Sequence, residues 1–367
     1  MSYGVVSDLH CHKWTAFSVP STDGVNSRLR IILDNLLRAA RELAARSIGH
    51  MVITGDIFHV RGSLDPEVLN PTQEVFRQIL DMGISIHMIP GNHDLAGKET
   101  TQLGSSIQTL AETFSTEGTI LVFNEPMLFG ATGHLPPMAF VPWCSTVERL
   151  LRQIEFIAGE AAKKGFLAET DLFLHAGIDG VLTHMPDHGL SAARLAQFGF
   201  RRVFAGHYHN HKDMGDGVFS VGALTHQTWA DIGSRAGFLI VDKAGTVEYH
   251  DSDAPKFVDV SGLTEEEMAL AADGNYVRFR GDAMKPEAVR ELREFLESSG
   301  ALGVSIQVAR EHATARTSKP ASGVTLEQSV SSFVDSTKDI PAHVDRAEVK
   351  RQALEILANT RIVHEEA

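Results

Sequence analysis

Five times in its first 210 residues the chain runs from a short apolar stretch directly into a cluster of Asp, Asn, His and Gly. Tyr3 to Val6 leads to Asp8-Leu9-His10, and Met51 to Thr54 leads to Gly55-Asp56. Ile84 to Ile89 leads to Gly91-Asn92-His93-Asp94, a run ending at Leu174 leads to His175, and Val203-Phe204 leads to Gly206-His207-Tyr208-His209. Short apolar runs bounded by turn residues read as buried strands. Between them lie helical patterns. Leu29, Ile32, Leu33, Leu36, Leu37, Ala40 and Leu43 make one stripe and Val75, Ile79 and Leu80 another, with further helices expected around 146–164 and from about 191. Strands alternating with helices predict an α/β fold whose sheet is covered on both faces. Ligands of such sheets gather at the carboxyl ends of the strands, so all five clusters are expected on one rim. The glycines at 55, 91 and 206 let the backbone turn sharply there and leave the metal face uncrowded.

The residue types in the clusters point to metal. Asp, Asn and His together suit borderline divalent ions such as manganese, iron or zinc. Cysteine is missing from the set, which argues against a structural zinc site. A pair of ions about 4 Å apart needs a bridging carboxylate, and can clamp the attacking and leaving oxygens of a phosphate ester. Histidine is abundant, at 18 residues, and many of these sit in or beside the clusters. The two cysteines, Cys11 and Cys144, imply no disulfide framework. The net charge of -14 excludes a protein that holds nucleic acid by its bulk field alone. If the chain handles DNA, the cations must come from a local patch, bound metal or a partner.

The composition changes along the chain. Gly217 to His250 reads as short strands and turns. A second unit is expected over 255–311, with a strand at Tyr276 to Arg280, a helix opened by Pro286 and closed near Gly300, and a strand at Val304 to Val308. Residues 312–325 are polar and read as a linker. The tail, 326–367, carries two short amphipathic helices, striped by Leu326, Val330, Phe333 and Val334 and by Val349, Ala353, Ile356 and Leu357, with Asp345 and Glu348 resembling a capping box. No run of eighteen apolar residues is present and the start lacks the features of a signal peptide, so no membrane partner and a cytoplasmic location are expected.

DxH, GD, GNHD, a lone His after a strand and GHxH, in that order, resemble the calcineurin-like metallophosphoesterases over about residues 3 to 250. GDIFH, from Gly55 to His59, and the small α/β unit after 255 resemble the nuclease subunit of SbcCD-type DNA-repair complexes, and SDLHCHKWTAFS resembles its phage versions. The resemblance implies a four-layer α/β/β/α sandwich (1–254) with a small α/β capping domain and a helical C-terminal tail. It implies two divalent ions, with manganese the metal the family uses. Asp8, His10, Asp56 and His209 would hold the first ion. Asp56, Asn92, His175 and His207 would hold the second, with Asp56 bridging. His93 would be the general acid, His59 would contact the scissile phosphate or steady His93, and Asp94 would orient a histidine. The implied activity is a metal-dependent DNA exonuclease with endonuclease capacity, acting in DNA repair or recombination. The implied partners are DNA, an SbcC-like SMC-family ATPase bound through the C-terminal helices, and a second copy of the chain in a homodimer. The implied location is the host cytoplasm if the chain is phage-encoded. Two rivals stay open: a stand-alone phosphoesterase for nucleotides or phosphoproteins, and a mainly structural subunit that regulates an ATPase.

Overall fold

The structure, a computed structural model, describes residues 2–99, 104–113, 115–130, 135–183, 185–309, 325–337, 341 and 344–365. The expected linker over 312–325 lies almost wholly outside the described residues. Two compact units are distinguished, Met1–Val308 and Ala309–Ala367.

The first unit holds two six-stranded sheets. The first sheet takes its strands in the order β12 (Val247–Asp251), β11 (Gly237–Val241), β1 (Tyr3–Val6), β2 (His50–Ile53), β3 (Ser85–Met88) and β4 (Ile120–Val122). The second runs β5 (Met127–Phe129), β6 (Met138–Val141), β7 (Asp171–His175), β8 (Arg202–Gly206), β10 (Val218–Ser220) and β9 (Lys212–Asp213). In each sheet the central neighbours are parallel: β1 with β2 and β2 with β3, β6 with β7 and β7 with β8.

Alternation along the strands builds the layers. Tyr3, Val5, Val52, Leu239 and Val241 of the first sheet share one core with Met138, Phe140, Phe173 and Phe204 of the second. Their neighbours face outward. Val6, Met51, Ile53, Ile86 and Met88 pack under α1 (Ser27–Ala45) and α2 (Pro66–Asp81), while Ala139, Val141, Leu172, Leu174, Val203 and Ala205 pack under α3 (Val147–Lys163) and α4 (Ala192–Ala196). The architecture is therefore a helix–sheet–sheet–helix sandwich. This is the four-layer α/β/β/α sandwich that the family resemblance implies: each sheet is covered on both faces, by helices on one and by the other sheet on the opposite one. Buried Asp171 also ties the sheets together, accepting from Tyr3 Oη of the facing sheet at 2.5 Å and from Arg202 Nε and Nη2 at 2.9 Å.

The rest of this unit is a third sheet of three parallel strands, β13 (Phe257–Asp259), β14 (Tyr276–Gly281) and β15 (Gly303–Val308), with α5 (Glu265–Ala272) and α6 (Pro286–Ser298). It has its own small core, from Val260, Met268, Ala272, Val277, Leu296 and Val304. Phe17, from the loop after β1, stacks on Tyr276 at 5.5 Å, and Trp229 meets Phe257 edge-on at 4.8 Å.

The second unit contains α7 (Leu326–Ser336) and α8 (Arg346–Glu365). The expectation of two short helices is corrected, because α8 runs for 20 residues. The helices are joined by the Arg346 guanidinium, which donates to the carbonyls of Val334, Asp335 and Thr337 at the end of α7, and by Lys350 against Asp335 at 2.7 Å. No helix among the described residues is long and apolar enough to cross a membrane.

Candidate metal centre

All five clusters lie at carboxyl ends of parallel strands, but the ends come from both sheets. β1, β2 and β3 deliver the first three, and β7 and β8 the last two. The expected single rim is thus two rims facing each other. The loops are pinned by main-chain bonds: Asp8 N–H to Gly55 O at 3.0 Å, His10 N–H to Asp56 O at 2.9 Å and Cys11 N–H to Ile57 O at 2.8 Å. Seven non-glycine residues among those described have positive φ, and four of them are Asp8, His10, Asp56 and His207. Strained backbone of this kind persists where surrounding structure enforces it, often at functional sites. Gly55 has φ +103°, and a side chain there would strike the His175 ring; a side chain at Gly91 would strike the Asp56 carboxylate. The glycines let the two rims approach.

Three groups of ligand-type atoms result among the described residues: His10 with His59 and His93, and two that contain carboxylates, the first being Asp8 with His10 and His209 and the second Asp56 with His175 and His207. Asp56 lies between these two, its Oδ2 3.7 Å from His10 Nε2 and 3.5 Å from His175 Nε2. Asn92 joins the second group, its Oδ1 3.0 Å from His207 Nδ1 and 3.2 Å from His175 Nε2. The structure therefore brings together all seven residues that the resemblance implies as ligands.

The chemistry of the donor set fits divalent ions. His175 Nδ1 donates to the Thr54 carbonyl at 2.7 Å, and His209 Nδ1 donates to Asp231 Oδ1 at 2.7 Å. Each neutral ring then turns its Nε2 lone pair toward the centre. His209 Nε2 faces His10 Nε2 at 3.1 Å, and His175 Nε2 faces two oxygens. The centre is thus rich in acceptors, as a cation site must be. Burial opposes charge on His175, yet Asp56 overrides it and lifts the ring to about 9; burial likewise opposes charge on His209, and Asp231 lifts that ring to about 8. Burial also disfavours ionised Asp56, but His175 and His10 hold its carboxyl below the ordinary range. Burial pushes Asp8 the other way, upward.

His93 and His59 stand beside the first group. His93 Nδ1 donates to the His59 carbonyl at 2.6 Å, its backbone N–H donates to Asp56 Oδ1 at 2.8 Å, and its ring stacks on that of His59 at 5.2 Å. His93 is thereby oriented with Nε2 as the ring nitrogen that makes no hydrogen bond among the described residues. Burial, with His93 alongside, lowers His59 to about 4. Trp14 packs on the other side of His59 at 4.6 Å.

The expected role of Asp94 is corrected. Its buried carboxylate bonds to no histidine among the described residues; it accepts from the backbone N–H groups of Ile57, Phe58 and Gly91 at 2.9–3.2 Å and so binds the second loop to the third. The acid that orients a histidine is Asp231. Sequence reasoning missed it, and its only local signal is the Thr228-to-Asp231 capping box. Trp143 was also missed. Its ring lies 5.2 Å from that of His207 and 6.0 Å from that of His175.

Asp231 gives a testable consequence. Its Oδ2 accepts from Gln227 and Thr228 N–H while Oδ1 holds His209. Asn offers one acceptor oxygen where Asp offers two, so Asp231→Asn is expected to weaken divalent-metal binding about 10- to 100-fold, the usual effect of removing a group that orients a ligand. A divalent-metal titration with unchanged affinity would remove Asp231 from this role.

Residues 1–211 match the family model described as calcineurin-like phosphoesterase. A curated relative, exonuclease subunit 1 of Enterobacteria phage T4, is 25% identical over 219 residues, 58% of this chain and 58% of that protein. The chain thus spans under two thirds of that relative's length. Among solved structures, a dimetal phosphatase from Danio rerio is similar over 65% of this chain and 91% of its own, at 11% identity and a TM-score of 0.38. A nuclease from Pseudomonas putida is similar over 68% and 87%, at 18% identity and a TM-score of 0.26.

Proposed function

Because the chain belongs to the calcineurin-like phosphoesterase family, we propose that it is a manganese-dependent DNA nuclease, an exonuclease with endonuclease capacity. We further propose that it is the cytoplasmic nuclease subunit of a DNA-repair or recombination complex with an SMC-like ATPase. The observation that carries the catalytic part is the pair of His/carboxylate groups flanking Asp56, with His93 alongside. The match to a phage exonuclease subunit supports DNA as the substrate.

Asp8, His10, Asp56 and His209 would hold one ion, and Asp56, Asn92, His175 and His207 the other. Two divalent ions supply Lewis-acid polarisation of a phosphoester and activation of water. The chain's own residues do the rest. Thr54 O and Asp231 fix the tautomers of His175 and His209. His59 holds the His93 ring through its carbonyl and by stacking. His93, protonated at Nε2, delivers a proton to the departing oxygen. Residues 255–311 would form the cap, and 312–325 the linker to a partner-binding tail.

The tail supports the partner. Although α7 and α8 pack together, Leu326, Phe333 and Ile356 stay 58%, 68% and 65% exposed. Apolar side chains spaced along helices in this way suit a helix-in-groove contact. Deleting 326–367 is expected to leave manganese-dependent cleavage of simple DNA ends intact and to abolish ATP-stimulated cleavage and co-purification with the ATPase. A truncated chain that still binds the ATPase at full strength, or that unfolds, would contradict the tail's assignment.

A further inference from the structure

We propose that the cavity beside Trp143 receives a nucleobase of the DNA strand being cut, next to the scissile phosphate. This rests on the nuclease reading above. The cavity has a volume of about 300 Å³, at the lower end of small-molecule sites. Trp143 forms one wall and is at the same time in ring contact with His207, so the cavity begins one ring's width from the second ligand group. Its backbone N–H donates to Pro90 O at 3.2 Å, which anchors the wall to the loop carrying Asn92 and His93. Phe156 is a further lining residue. It projects from the solvent side of α3 and is 61% exposed, whereas the helix's apolar stripe of Leu150, Ile154 and Ile157 is buried. Nothing in the packing of α3 calls for an aromatic ring there.

The polar lining selects the kind of occupant. Arg149 is engaged by Glu99 at 3.3 Å, and Glu125 adds a second carboxylate. That balance repels a phosphate but accepts an uncharged heteroaromatic ring. Buried Asn124 gives its Nδ2 to Gln108 Oε1 at 2.9 Å and leaves Oδ1 with no partner among the described residues. Asn124 adds a neutral amide to the lining, in keeping with an uncharged occupant. Stacking on aromatic side chains, with a few edge contacts, is how proteins hold unpaired bases.

The test compares steady-state cleavage, in manganese, of a single-stranded oligonucleotide with that of the same strand carrying an abasic residue scanned through the positions flanking the cut. The full chain is used, as wild type and as Phe156→Ala, Phe156→Leu and Phe156→Tyr. Phe156 is exposed, so these substitutions spare the core. At one flanking position the abasic residue is expected to raise the wild-type KM about 5- to 150-fold, the range for a lost base–aromatic stack. Phe156→Ala and Phe156→Leu are expected to raise KM on intact DNA by a comparable factor and to add nothing on the abasic strand, while Phe156→Tyr behaves as wild type. Equal KM for intact and abasic strands at every position overturns the base site and leaves the nuclease reading standing. So do abasic and Phe156 losses that simply multiply. If neither strand is cut, the nuclease reading falls and the base site with it.

Discussion

Asp56→Asn is expected to lose metal and hydrolysis together. The Asp56 carboxylate lies within 4 Å of a histidine ring nitrogen from each ligand group, His10 Nε2 and His175 Nε2. A carboxylate can bind two cations at once, and a neutral amide does so poorly. The substitution also removes the charge that holds His175 up at about 9 against its own burial. The shape of the residue is retained, and with it an acceptor for the His93 N–H, so the fold is expected to survive. Losing the ions removes several kcal/mol of charge stabilisation in the transition state, or about 10³-fold in rate. Elemental analysis of the purified variant, paired with hydrolysis of a nitrophenyl phosphodiester, checks both halves. Two tightly held ions in the variant would refute the bridging assignment.

His93→Ala is expected to separate the two properties that Asp56→Asn removes together. His93 gives its Nδ1 to the His59 carbonyl and its backbone N–H to Asp56, and its ring groups with those of His10 and His59 rather than with the two carboxylate-containing ligand groups. Alanine keeps the backbone contact to Asp56, so metal content should stay at the wild-type value. Removing a general acid typically costs about 10²–10⁴-fold in rate. That loss is expected on DNA, whose departing oxygen needs a proton. It should shrink markedly on a nitrophenyl ester, whose leaving group does not. Equal losses on the two substrates would make His93 a binding residue.

The residues that lead to these two predictions were legible because they are local. A glycine or acid placed just after a strand marks a strand-end loop wherever the strand goes, and Gly55-Asp56 and Gly91-Asn92-His93 needed nothing more. The number of sheets was not legible from periodicity. β7 and β8 are buried on both faces, and a strand pressed between two sheets and one between a sheet and a helix carry the same apolar run. Only the ordered motifs, through the family they resemble, pointed to the sandwich. Asp231 stayed hidden because its tie to His209 spans 22 residues and a change of sheet, while its own neighbourhood spells only a cap. Asp94 misled for the opposite reason. It follows His93 in sequence, but its carboxylate turns into the fold and takes three backbone N–H groups. The length of α8 was underestimated because its apolar stripe is sparse and the helix continues beyond it.

The most direct test of the whole account is digestion of end-labelled single- and double-stranded DNA by the purified full chain, without any partner, across a manganese titration with a chelator control. The account predicts nucleotides released progressively from DNA ends, dependent on manganese and absent with chelator or in Asp56→Asn. Manganese-dependent hydrolysis of small phosphate esters with every DNA strand left intact would contradict it.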